Sequence, residues 1–280
     1  MTGEALKSRA CLLASAFLFS TGGAAIKAAG MPSWEIAGAR SLVAALALLA
    51  LVPGSRRLAG RRHLLVAFSY ALTLVAFVAA NKLTTSANAI FLQSTAPLYL
   101  LLASPLLLKE PVKRADVWGL VLMAAGMVLL FTSADPPTAL AADPMRGNLL
   151  ATFSGLTWAG VVLGVRWLER DRPGDGAAMV VHGNIMAFLI CLPFFDGVPS
   201  ASATAWATIL YMGCIQVALA YVFLTRGLRG VPALEASLLL LFEPALNPLW
   251  TWLAHGERPT PVALAGGALI VSATGVRLLR

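Results

Sequence analysis

The stretch SANAIFLQSTAPLYLLLASPLLL at residues 86–108, followed by KEPVKR at 109–114 and ADVWGLVLMAAGMVLLFT at 115–132, decides the fold. Each apolar run approaches the roughly 20 residues a helix needs to cross the hydrocarbon core of a bilayer, and the loop between them is short and basic. Runs of the same kind flank it at 10–29, 34–52, 63–82, 147–168, 177–195, 204–227, 233–253 and 260–278, which makes ten spans with short connections. Of the 280 residues 59% are apolar and only 12% charged, about half the charge of a soluble domain. A water-facing surface cannot be built from that composition. The expectation is an all-α membrane protein of ten transmembrane helices whose binding or chemistry takes place inside the bundle or at its mouths.

A net charge of +8 raises the question of nucleic acid, and the distribution of the charge answers it. With the N-terminus in the cytoplasm, cytoplasmic segments hold Lys7, Arg9, Arg56, Arg57, Arg61, Arg62, Lys109, Lys113, Arg114, Arg166, Arg170, Arg172, Arg226, Arg229, Arg277 and Arg280, which is 16 of the 21 Lys and Arg. That asymmetry is the positive-inside rule for an even number of spans with both termini cytoplasmic, and it leaves no basic surface for nucleic acid. Lys7 and Arg9 before an apolar run also resemble the start of a signal peptide, but the rest of the chain is as hydrophobic, so this run is read as the first span. Cys11, Cys191 and Cys214 lie within apolar runs at unrelated spacings, giving neither a metal pattern nor a disulfide framework.

Sliding the chain by 147 positions lays Leu83–Phe131 on Gly230–Leu278 without a gap, with Pro97 on Pro244, Glu110 on Glu257 and Gly119 on Gly266. The order of helix, short charged loop and Gly-containing helix recurs. Five spans per copy is an odd number, so the second copy is inverted: residues 1–132 form one five-helix repeat and 147–280 the other. Inverted repeats are a recurring plan of secondary transporters, with the substrate site near the midplane between the halves.

Glu243-Pro244, Gly256-Glu257, Gly266, Leu269-Ile270 and Gly275 resemble the second half of EamA-type members of the drug/metabolite transporter superfamily. The first half echoes them with Pro97, Leu108-Lys109-Glu110, Gly119 and Gly126, although Lys109 stands where the family usually has glycine and His255 where it usually has leucine. Among subgroups the chain looks most like the YddG-type amino acid exporters. The resemblance implies a multi-pass protein of the bacterial inner (plasma) membrane, a monomer or weak dimer without cofactor or metal, that exports amino acids, aromatic ones included, by alternating access. Nucleosides, sugars or drugs are the alternative cargo.

Glu243 is the most informative single residue, because an ionised side chain at mid-span costs about 2.5–3.5 kcal/mol even on the lenient insertion scale. It either pairs with a substrate ammonium group or exchanges a proton, or it stays protonated and bonds backbone carbonyls freed by Pro244 and Pro248. Pro97, Pro244 and Pro248 are expected to bend the fourth and ninth spans. Asn247 and Thr251 continue a polar stripe from Glu243, and Gln93 shares a face with Ser86; each lines a cavity or bonds between helices. Trp34, Trp118, Trp167, Trp206, Trp250 and Trp252 lie near span ends as interfacial belts predict. Trp158 is mid-span, a candidate cavity wall with Tyr70, Phe77 and Tyr99, the other reading being core packing. His182 lines the pathway or is a hydrogen-bonded packing residue. Lys27 and Arg40 are expected to snorkel at the outer ends of their spans, or, for Arg40, to hold a carboxylate in an outer vestibule. An intramembrane enzyme would need a convergent set of ligands or a nucleophile with its base, and a channel rings of charge or carbonyls; the sequence offers neither.

Overall fold

The computed structural model describes residues 3–57, 60–96, 98–99, 114–132, 138–171, 175–196, 202–230, 239–240 and 242–278, and every one of the ten apolar runs carries helix. In chain order these are α1 (Gly3–Ser20), α2 (Gly22–Ala28), α3 (Ser33–Leu51), α4 (Arg61–Leu83), α5 (Ser86–Gln93), α6 (Arg114–Thr132), α7 (Pro144–Asp171), α8 (Asp175–Cys191), α9 (Ala203–Tyr211), α10 (Ala220–Gly230), α11 (Phe242–His255) and α12 (Pro261–Leu278). Among the described residues six helical stretches are long and apolar enough to cross a membrane, one of them Leu6–Ala28, which joins α1 and α2. Pro97 and the basic loop 109–113 lie outside the described residues.

The helices begin and end where local chemistry predicts. Thr85 accepts a hydrogen bond from the Asn88 amide (3.2 Å) at the start of α5, Ser202 from Ala205 (3.2 Å) at the start of α9, and Thr260, ahead of Pro261, from Ala263 (3.1 Å). Gly30 follows α2 and Gly256 follows α11 with φ of 65° and 69°, a conformation that side chains resist and glycine accepts freely.

Among the described residues the fourth span turns at Ser94-Thr95 after α5, and two further spans are irregular. The first breaks at Thr21 into α1 and α2, immediately before Gly22-Gly23, and the eighth is wound as a π-helix over Met212–Leu219 between α9 and α10. π turns inside α-helices are frequent at functional sites.

Packing pairs helices from opposite ends of the chain. The third span (α4) packs on the sixth (α7), as the eighth (α10) packs on the first (α1); α5 meets α7 as α11 meets α1 and α2; α3 meets the π segment as α8 meets α4. Each match relates by a shift of five spans. The fifth and tenth spans, α6 and α12, pack side by side at Gly126 and Gly266. A Cβ on Gly126 would fall 2.6 Å from the Gly266 carbonyl and one on Gly266 2.9 Å from that of Gly126, the close backbone approach that small residues permit between membrane helices.

Candidate functional site

Arg40 sits near the middle of α3 and is 2% exposed. Its Nη1 donates to Oε1 of Gln216 and its Nη2 to the Leu74 carbonyl, each at 3.4 Å, beyond the usual range for such bonds. Its Nε has no partner. Among the described residues no carboxylate forms an ion pair with it. Burying a charge this way costs several kcal/mol unless something offsets it.

Gln216 belongs to the π-wound segment, and its Nε2 donates to the Phe19 carbonyl (3.4 Å) just before the break between α1 and α2. A Cβ on Gly22 would stand 2.8 Å from that Nε2, so glycine is what lets the amide reach the broken helix. The two irregular spans therefore meet at Gln216, one from each half of the chain, and Arg40 donates to the same amide.

Aromatic rings cluster near Leu74, whose carbonyl Arg40 bonds. Tyr70 on α4 and Tyr221 on α10 meet edge to face with centroids 5.2 Å apart, and Phe19 meets Tyr221 at 5.0 Å. Asn184 on α8 donates to the Tyr70 hydroxyl (3.3 Å). Arg40 lies within electrostatic reach of both tyrosines, and Glu243 on α11 within reach of Tyr221. Glu243 is half-buried, and no hydrogen bond or ion pair joins it to the described residues. One turn on, Asn247 is fully buried with neither side-chain amide atom bonded. It lies where a Cβ on Gly23 would meet its Oδ1 at 2.7 Å and the Ser86 side chain at 2.9 Å.

A second polar chain joins α5, α7 and α4: Gln93 Nε2 donates to Ser154 Oγ (2.7 Å), Ser154 to the Thr73 carbonyl (3.3 Å), and Thr73 Oγ1 to Thr157 (2.8 Å). The Tyr99 hydroxyl reaches the Thr152 carbonyl on the same helix α7 (3.4 Å).

One end of the bundle is tied by a buried ion pair. Lys27 Nζ stands 2.9 Å from Glu257 Oε2, with side-chain exposures of 2% and 7%. Lys27 also donates to the carbonyls of Thr84 (3.1 Å) and Leu140, and Glu257 Oε1 accepts from the Ser86 amide (2.6 Å) at the start of α5. His255 adds a contact to the Ala24 carbonyl (2.9 Å). A cavity of about 360 Å³ lies beside this cluster, lined by Thr84, Thr85, Asn88, Leu140, Glu257 and Thr260 among others. At the other end Asp175 lies 2.8 Å from Arg57 and 3.0 Å from His63.

Comparison with known proteins places this architecture. The model of the EamA-like transporter family matches residues 7–132 and 145–278. The chain belongs to the EamA-like transporter family. It is similar to the Pseudopaline exporter CntI of Pseudomonas aeruginosa, 28% identical over 282 residues, covering 98% of this chain and 96% of the relative. An uncharacterized transporter of Archaeoglobus fulgidus is 27% identical over 228 residues, 80% of each chain. A solved structure with a TM-score of 0.68 and 20% identity covers 97% of this chain and 96% of its own, and shares the fold.

In this EamA-like transporter Tyr70 lies one turn from Leu74, whose carbonyl Arg40 bonds, and Glu243 lies within electrostatic reach of Tyr221, while Gln93 and Tyr99 bond to α7. Phe77 is buried in the apolar core, and Trp158, half-buried, packs on that core. His182 Nδ1 turns to the Ala178 carbonyl of its own helix (2.6 Å). Pro244 and Pro248 are both buried within α11. Trp34, Trp118, Trp167, Trp206 and Trp252 are exposed at span ends, while Trp250 instead donates to Ser20 Oγ (2.9 Å). Two expectations need correction. Lys27 does not snorkel but is dry and paired with Glu257, and Arg40 lies inside the bundle, not in an outer vestibule. Gln216 and Tyr221 were not singled out from the sequence; the one hint was a glutamine in an otherwise apolar span.

Proposed function

We propose that this chain is a secondary exporter of amino acids, aromatic ones included, and of similar small metabolites. It works by alternating access between two inverted five-helix repeats, residues 1–132 and 147–280, in the bacterial inner membrane with both termini cytoplasmic. One observation carries the reading: a broken span from one half and a π-wound span from the other meet on buried polar groups in mid-bundle. Interrupted helices at a repeat interface are where such carriers place their substrate. The five-span shift that relates the helix contacts supports the repeat, the tyrosine pair suits aromatic or apolar side chains on the cargo, and the printed name of the Pseudomonas relative supports outward transport.

The test is uptake of labelled amino acids by the purified protein in liposomes, with and without a pH gradient, for the native chain and Glu243→Gln. Saturable uptake without a gradient that survives in the variant establishes a facilitator in which Glu243 is structural. Gradient-dependent uptake that the variant loses makes Glu243 the coupling group. No uptake of any amino acid by well-folded protein sinks the amino acid assignment and moves the cargo to nucleosides, sugars or drugs.

A further inference from the structure

We propose that Arg40 is the carboxylate-binding group of the transport site, taking an acidic headgroup of the cargo in the place now held by Gln216 and the Leu74 carbonyl. The inference rests on the carrier reading above. Arg40 is 2% exposed, has no carboxylate partner among the described residues, and leaves Nε without a bond. Its two hydrogen bonds are both 3.4 Å long and both go to neutral acceptors. A guanidinium presents five donors in a fork that fits a carboxylate on two prongs, and such charge-assisted bonds are shorter and stronger than the ones it makes here. A purely structural arginine would be expected to carry its counterion with it.

The surroundings fit the same ligand. Gln216 hangs between Arg40 and the Phe19 carbonyl, so a carboxylate arriving at Arg40 frees an amide that bonds the broken first span. The cargo would thereby be sensed by both irregular helices. Tyr70 lies one turn before Leu74, whose carbonyl Arg40 now bonds, and meets Tyr221 edge to face at 5.2 Å. The ligand class is a small monocarboxylate or zwitterion with its acid group at Arg40.

The test is counterflow by the full chain in liposomes with three probes: tryptophan, indole-3-propionate, which lacks the ammonium, and tryptamine, which lacks the carboxylate. Native protein is compared with Arg40→Met, which keeps an unbranched stem, and with Arg40→Lys, each checked for fold by its Tm. The expected result is exchange of both acids by native protein and at least a tenfold loss of both in Arg40→Met, on the order of a charge-assisted hydrogen bond. Arg40→Lys should fall between them, because an ammonium cannot engage on two prongs, and any exchange of tryptamine should be unchanged. Undiminished exchange of the acids by Arg40→Met, or equal loss of all three probes in a folded variant, overturns the assignment and leaves the carrier standing. Exchange of tryptamine but of neither acid by native protein does the same. No exchange of any probe by native protein removes the amino acid reading as well. If Arg40→Met does not fold, the Tm of native protein decides: a rise with indole-3-propionate and none with its amide supports the site, and equal shifts overturn it.

Discussion

Lys27 and Glu257 are separated by most of the chain and share one dry contact. Removing one member of a buried pair costs about 3–5 kcal/mol, because the other charge is left uncompensated, whereas replacing both with apolar groups of like volume is often near neutral. Glu257→Gln should therefore lower the Tm of the purified protein sharply, and Lys27→Met combined with Glu257→Met should recover most of the loss. If the double variant is no more stable than the single one, the pair's hydrogen bonds to Thr84, Leu140 and Ser86 outweigh its charges. Sequence reading placed Lys27 at a span end correctly and then assigned it to the interface, since snorkelling is the local solution for a long cationic side chain. Its partner follows another span far along the chain, and hydropathy carries no information about which ends meet. Arg40 was displaced for a related reason: its position along α3 does not say what covers it, and only packing shows that α3 meets α8 and the π segment.

At the scale of elements, α6 and α12 depend on Gly126 and Gly266 lying against each other's carbonyls. Gly126→Leu should force the two helices apart and destabilise the protein by about 1–3 kcal/mol, the usual cost of overpacking a close contact. A thermal unfolding curve in detergent that does not move would mean that these helices pack elsewhere. The ten apolar runs were legible as helical because length and unbroken apolarity are what the bilayer demands of a span, and α3, α4 and α7 fall within three residues of the runs read from sequence. The break at Thr21 and the π-wound Met212–Leu219 were not legible. Hydropathy measures how apolar a segment is and is blind to the register of its hydrogen-bond ladder, so a one-residue change of winding leaves no trace in it. Gly22-Gly23 was the available hint for the first of these.

For the molecule as a whole, the proposed orientation is open to direct measurement. In a background lacking Cys11, Cys191 and Cys214, cysteines replacing the exposed Thr138 and Arg258 should react with a membrane-impermeant maleimide on intact cells, and one replacing the exposed Arg56 only after permeabilisation. The opposite pattern would reverse the topology while leaving every helix contact unchanged. The repeat is where sequence and architecture speak most directly to each other: five spans per copy is an odd number, and the contacts α4 with α7 and α1 with α10 recur after the same shift of five. The candidate site was only half legible, because its polar groups are contributed singly by helices that no local pattern connects. A carrier that opens past Lys27 and Glu257 must wet both charges at once, since hydrating either alone strands the other. If the chain alternates as proposed, such an end would act as a detent, holding shut or holding open with little time in between, so the gap would snap and not breathe.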